Sequence, residues 1–269
     1  MSRGFLESTT VGFARALTRT MLSEQTARER GLLQALDPRV RVVGLFALVL
    51  AVTLSRRIGV VAALFATAVL IALLSRVSLL TLAKRVWLIV LGFTGVIALP
   101  ALFTTPGRTV TAVVGLAITE QGLRTASLLI LRVETAVTFT TLLILCTPWV
   151  QVLKALRALR LPKEVVMMLA MTYRYVFLLV ETAAQMFESR RSRTVGVLKA
   201  SEQRHLAGST AGVLLSKSVA LSNDVYSAMQ SRGFRGDVQI LSDFRMTSWD
   251  YIGLLAFLLV GGLAVWMGR

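Results

Sequence analysis

One cysteine, one histidine, five prolines and 14 acidic residues are spread through 269 positions, and each shortage removes a class of function. With only Cys146 and His205 to offer, the chain cannot close a disulfide within itself or assemble a Cys/His metal cage. No G-x-x-x-x-G-K-S/T phosphate loop, G-x-S-x-G elbow or H-E-x-x-H helix occurs. The usual marks of nucleotide hydrolysis, acyl transfer and zinc proteolysis are therefore missing, and no catalytic residue is assigned. If the protein works on energy from ATP, another subunit must hold the nucleotide. His205 reads as a solvated loop residue. Met167, Met168 and Met171 recur at helical spacing and read as packing filler rather than a soft-metal path. No internal repeat, low-complexity run or Gly/Pro/Ser-rich linker divides the chain.

What the chain has in abundance is apolar surface and positive charge. It is 55% hydrophobic with a mean hydropathy of +0.70, too apolar for a soluble domain and typical of a polytopic membrane protein. Lysine and arginine total 30 against 14 acidic residues, a net charge of 30 − 14 = +16. The basic residues flank apolar runs and lack a patch with stacking aromatics, which favours anionic lipid and acidic partners over nucleic acid.

Residues 1–35 read as an amphipathic segment on the membrane surface. Val11, Phe13, Ala14, Leu17, Met21 and Leu22 lie at helical spacing, with Arg15, Arg19, Arg28 and Arg30 between them. The region has no short apolar core leading to a cleavage site, so no cleaved signal peptide is expected. A transmembrane bundle follows over 36–147. Asp37 is placed to cap a helix with Pro38 at its first position. Apolar spans are expected at Val42–Ser55, Ile58–Leu74, Val86–Phe103 and Ser127–Cys146. Pro100 should kink or shorten the third span. Residues 104–120 read as a loop with an interfacial or re-entrant stretch, Val110–Ile118. Arg132 and Glu134 inside the fourth span should face the bundle interior or lie near one interface. A C-terminal transmembrane helix occupies 246–269. The fold class is all-α: a polytopic helical membrane protein of about five transmembrane helices plus long coupling helices.

Between Pro148 and Arg245 there are 14 basic and seven acidic residues, which marks residues 148–245 as cytoplasmic. No uninterrupted apolar run of about twenty residues appears there. Val150, Leu153, Leu156 and Leu159 form one stripe of a short helix that stops at Leu161-Pro162. Two long helices then run from Glu164 to Ser192 and from about Ala207 to Gln230, separated by a polar gap around Ser201–His205. Each ends in an arginine element: Ser192-Arg193-Thr194, and Ser231-Arg232-Gly233 within Ser231-Arg232-Gly233-Phe234-Arg235-Gly236-Asp237. Glycine lets a chain leave a helix at positive φ, and arginine presents a rigid fork that pairs carboxylates bidentately. Two such tips suit two equivalent acidic grooves better than they suit headgroup snorkelling, which needs no glycine.

Four stretches carry a family resemblance. They are Leu36-Asp37-Pro38-Arg39-Val40-Arg41, Leu156-Arg157-Ala158-Leu159-Arg160-Leu161-Pro162-Lys163, the helix Met171-Thr172-Tyr173-Arg174-Tyr175 through Glu181, and Ala228-Met229-Gln230-Ser231-Arg232-Gly233-Phe234-Arg235-Gly236. Over residues 36–237 the chain resembles the T component of energy-coupling-factor transporters, most closely its cobalt/nickel-type, CbiQ-like branch. The resemblance implies a non-catalytic scaffold of an ATP-driven uptake transporter in the bacterial cytoplasmic membrane. Its arginine tips would dock two ABC ATPase subunits (CbiO-like), which carry ATP and magnesium. Its coupling helices would contact a substrate-binding membrane subunit (CbiM-like, with or without a small CbiN-like subunit). No cofactor or metal is expected on this chain. By position the docking residues are Ser192, Arg193, Thr194, Ser231, Arg232 and Gly233. Threonine after Arg193, where the family commonly has glycine or serine, leaves Arg190 or Arg191 open as the first docking residue. Arg174, Glu181 and Arg235 are expected to brace the coupling helices. The alternatives are a T component for a vitamin, or a self-sufficient channel or secondary transporter using Arg132 and Glu134.

Overall fold

A computed structural model describes Gly12 and residues 31–104, 109–113, 116–194, 199–236 and 247–269. The amphipathic segment expected over 1–35 therefore lies outside the described residues except for Gly12 and its last turn, α1 (Leu32–Ala35). The chain forms two compact units. One holds the described residues from 31 to 155 and from 247 onward, and the other holds those from 156 to 236.

The first unit is a bundle of apolar helices. Helix α2 (Pro38–Leu54) begins where Asp37 Oδ1 accepts from the Arg39 amide at 2.9 Å, with Pro38 in the first turn where its missing N–H costs nothing. Helix α3 (Ile58–Leu74) matches its expected span. A short α4 (Leu79–Leu82) runs through a π-helical turn (Ala83–Trp87) into α5 (Leu88–Thr104). Pro100 does not end α5, which continues four residues further. In the segment after it the described residues form two strands. Thr109–Val113 (β1) and Leu116–Thr119 (β2) pair antiparallel, with a register shift between Thr109 and Thr111. A short run rich in β-branched residues favours strand over helix. The long α6 (Glu120–Cys146) starts seven residues before its apolar run because Thr119 Oγ1 caps it, accepting from the Gly122 amide at 3.1 Å. Helix α10 (Ser248–Gly268) completes the unit.

Helix α6 packs against α2, α3 and α5, and α10 packs against α2 and α3. Their shared core is Leu45, Leu48 and Val52 of α2, Val61 and Leu64 of α3, Phe139 and Leu142 of α6, and Phe257 of α10. A Cβ at Gly44 would fall 2.7 Å from the Phe257 ring carbon Cγ, so this helix crossing needs glycine. Outside the core the same helices leave large apolar side chains bare, with Phe46 60%, Phe93 71% and Trp266 79% exposed. In water such a surface would drive association. Around a bundle of apolar helices it is the lipid-facing surface, because helices satisfy their own backbone inside a membrane. The protein is a multi-pass helical membrane protein.

The second unit contains the end of α7 (Trp149–Ala158), then α8 (Lys163–Arg193) and α9 (Ala200–Ser231). Helix α8 is long and apolar enough to cross a membrane, as are α6 and α10, which the broken apolar pattern of 148–245 does not suggest. Yet almost none of its apolar residues is buried, and Met168 is 69% exposed. Helix α9 starts earlier than its pattern suggests. Glu202 Oε2 accepts from the Lys199 amide at 2.8 Å and carries helix through the polar stretch. His205 is thus exposed on a helix and not in a loop.

Candidate docking site at the tips of the two long helices

The two helix ends differ in how they are closed. In α9 the exit is a Schellman motif. The Phe234 amide donates back to the Met229 carbonyl at 3.0 Å, and the Gly233 amide donates to the Gln230 carbonyl at 2.9 Å. Gly233 sits at φ 79°, the left-handed conformation this closure requires, and open space surrounds its missing Cβ. Arg232 is the C-cap, just before the reversal, and it is exposed. The Ser231 hydroxyl donates to the Ser227 carbonyl at 3.0 Å, holding the last turn against fraying. Gly236 repeats the positive φ at 91°, so the chain around exposed Arg235 turns tightly.

In α8 the C-cap is Thr194, extended at φ −102°. The Thr194 hydroxyl donates to the Arg190 carbonyl at 2.8 Å, and the Ser192 hydroxyl to the Ser189 carbonyl at 2.8 Å. These hydroxyls tie the side chains of the last turn back onto its own backbone. Arg190, Arg191 and Arg193 are all exposed in the last turn, where cations also complement the helix dipole. The geometry of the chain alone favours none of the three.

Arg174 and Glu181 lie on exposed positions of α8, and the Arg174 guanidinium sits 6.0 Å from the centre of the Tyr175 ring. Tyr173 meets Phe177 edge-on at 5.0 Å. Between α8 and α9 runs a groove of about 610 Å³, lined by Met167, Met168, Met171, Tyr175, Val225 and Met229 and ending at Phe234. Sequence reasoning assigned the α8 methionines to packing. They instead form an open, adaptable apolar wall beside the Arg232 tip, and only the α8–α9 pairing reveals it.

The membrane unit places the two intramembrane charges inward. Arg132 is half-buried and donates from Nη2 to the Ser55 carbonyl at 2.7 Å, closing the C-terminal end of α2. Glu134 is buried, and neither carboxyl oxygen has a hydrogen-bond partner among the described residues. Its backbone carbonyl accepts from the Thr138 hydroxyl at 2.6 Å, and Thr138 in turn accepts from the Trp87 indole at 3.1 Å. Among the described residues no group of three or more His, Cys, Asp or Glu side chains could hold a metal ion.

Comparison with known proteins matches residues 29–240 to the family model described as CbiQ, cobalt transport protein. An uncharacterized protein of Methanocaldococcus jannaschii is 31% identical over the whole of this chain and 94% of its own length. The cobalt transport protein CbiQ of Rhodobacter capsulatus is 30% identical over 64% of this chain and 72% of its own. The nickel permease LarQ of Lactiplantibacillus plantarum is 32% identical over 43% of this chain and 42% of its own. The match takes in α2 through α9 and both arginine tips, and the chain belongs to the CbiQ family of cobalt transport proteins.

Proposed function

We propose that this chain, a cobalt/nickel transport component by family, is the non-catalytic coupling subunit of an energy-coupling-factor uptake transporter in the bacterial cytoplasmic membrane. The reading rests above all on the two helices of 31 and 32 residues that each end in an exposed arginine. At about 1.5 Å per residue each is some 45–50 Å long, a lever able to carry a displacement without bending. Ser192-Arg193-Thr194 and Ser231-Arg232-Gly233 would dock the grooves of two ABC ATPase subunits. There each guanidinium fork would make charge-assisted bonds to acidic groups.

ATP and magnesium belong to those ATPases. Their closure would bring the docking grooves together and move the two tips, and α8 and α9 would pass the motion on as a rigid-body shift. The exposed apolar wall of α8 and its groove with α9 supply the surface for a substrate-binding membrane subunit of the CbiM type. That subunit, with or without a small CbiN-like partner, would hold the cobalt or nickel ion. Arg174, Glu181 and Arg235 would brace the coupling helices in the assembled complex.

The test is co-purification in detergent with co-expressed CbiO-like ATPase subunits, comparing wild type with Arg193→Glu, Arg232→Glu and the double variant. The double variant should release the ATPases while remaining folded and membrane-inserted. Retention of both ATPases and of transport would make the tips headgroup anchors and end the docking assignment.

A further inference from the structure

Helix α6 carries a carboxyl group that the described residues leave unmatched. Glu134 stands near the middle of this 27-residue helix, about 20 Å from either end at 1.5 Å per residue. Its side chain is 5% exposed, and neither Oε1 nor Oε2 has a hydrogen-bond partner among the described residues. A carboxylate held in an apolar bundle is costly without a counter-charge. The elements packed against α6 are α2, α3, α5, β2 and the π-helical turn. Of these, α3, α5 and β2 contain no charged residue. On α2 the charges are Arg39 and Arg41, and Arg41 donates from Nη1 to the Cys146 carbonyl at 2.8 Å. That places their turn about 18 Å along α6 from Glu134. The π-helical turn contributes Lys84, which is exposed, and Arg85. On α6 itself, Glu120 and Arg124 lie at least ten positions away. Arg132, two positions away, faces another side of the helix and donates to the Ser55 carbonyl.

The hydroxyl donors within a turn of Glu134 are committed as well. Thr138, one turn further along, donates to the Glu134 carbonyl at 2.6 Å and accepts from the Trp87 indole at 3.1 Å. Thr135 donates to the Leu131 carbonyl at 2.6 Å. Both threonines are fully buried. A hydroxyl whose proton is already used offers only lone pairs, and the carboxyl adds two more acceptor oxygens. Such a spot, rich in oxygen acceptors and poor in donors, has the chemistry of a site for a hard cation. One carboxylate balances one positive charge. Among the described residues no cluster of His, Cys, Asp or Glu could hold a divalent metal, which separates this site from the transported cobalt or nickel. Trp87 also closes the π-helical turn Ala83–Trp87, an irregularity of a kind frequent at functional sites.

We propose that Glu134 binds a small monovalent cation, a proton or Na+, that neutralises its carboxyl within the membrane bundle, with Thr138 as a positioning residue held by Trp87. The proposal does not rest on the coupling reading above. Because the cation binds the folded bundle, the stability of α6 becomes a function of its concentration.

The test uses the full chain in lipid nanodiscs and reads hydrogen exchange of peptides covering 128–142. Wild type is compared with Glu134→Gln, a neutral isostere of the occupied carboxyl, in matched buffers of NaCl or choline chloride at several pH values. The ratio of the two proteins removes the intrinsic pH dependence of exchange. If Na+ is the ligand, wild-type exchange relative to the variant should slow about tenfold for each tenfold rise in Na+ above its dissociation constant, and choline should have no effect. If the proton is the ligand, it should slow as pH falls and ignore Na+. A hydrophobic carbodiimide distinguishes the two sources independently. The acid form of the carboxyl adds its O–H across one C=N bond, and rearrangement leaves an N-acylurea on Glu134 with no other product. Labelling should fall with added Na+ in the first case, and only with rising pH in the second. Thr138→Val should move the midpoint to about tenfold higher cation, and Thr138→Ser should restore it; equal midpoints would overturn the role of Thr138. A ratio that neither cation moves overturns the proposal. If Glu134→Gln fails to insert, labelling of wild type decides alone: label that is absent, or unmoved by both Na+ and pH, overturns it.

Discussion

Substituting Gly233 separates backbone geometry from side-chain contact at the Arg232 tip. A Cβ at this position meets nothing within 4 Å, so alanine introduces no clash. Its φ of 79° is the only obstacle, and forcing a non-glycine residue into the left-handed region costs about 1–2 kcal/mol. That cost must be met by holding the Schellman closure or by opening it. Opening releases the bonds from Gly233 and Phe234 to the Gln230 and Met229 carbonyls, and with them the position of Arg232. The population of the docked geometry should then fall by a factor of about 5–30, the equivalent of 1–2 kcal/mol. Valine, stiffer at χ1, should fall further, whereas asparagine, which tolerates this region, should stay near wild type. The assay is ATPase affinity for the protein in nanodiscs, measured in an Arg193→Ala background so that the other tip cannot mask the change. Thermal unfolding of the membrane bundle should not move. The reasoning fails if asparagine, alanine and valine bind alike, because conformational strain orders them and side-chain loss does not.

Gly44→Ala should lower the unfolding temperature of the bundle, since the added methyl meets the Phe257 ring; overpacking of this kind costs about 1–3 kcal/mol. Adding Phe257→Leu should recover part of the loss, and no recovery would rule out the contact as its cause. Glu202→Ala removes the side chain that pairs the Lys199 amide, so the first turn of α9 should exchange amide hydrogen faster by an amount equivalent to about 1 kcal/mol. Unchanged exchange there would show that the capping contact contributes nothing.

The parts legible in advance are those governed by local rules. The Asp37-Pro38 start of α2, the limits of α3 and the glycine exit after Arg232 follow from capping, hydropathy and the conformations open to each residue. The extent of α6 and α9 was harder to read. A single side chain, Thr119 or Glu202, carries each helix through polar residues that an apolar pattern scores as loop. Pro100 leaves its helix running to Thr104, one residue past the expected limit at Phe103.

Hydropathy and charge alone determined the class of protein, its helical character and the placing of an arginine at the end of each of the two long helices. These depend on composition and on short-range spacing, which folding does not alter. Tertiary structure alone decided what distant residues do for one another. It drew Cys146 and Asp250 onto the turn that starts at Asp37. It turned the α8 methionines into the wall of a groove. It sent Arg132 to the carbonyl of Ser55, 77 residues away. Such pairings follow from which helices pack together, and a buried polar group takes its partner from whatever neighbour the packing supplies.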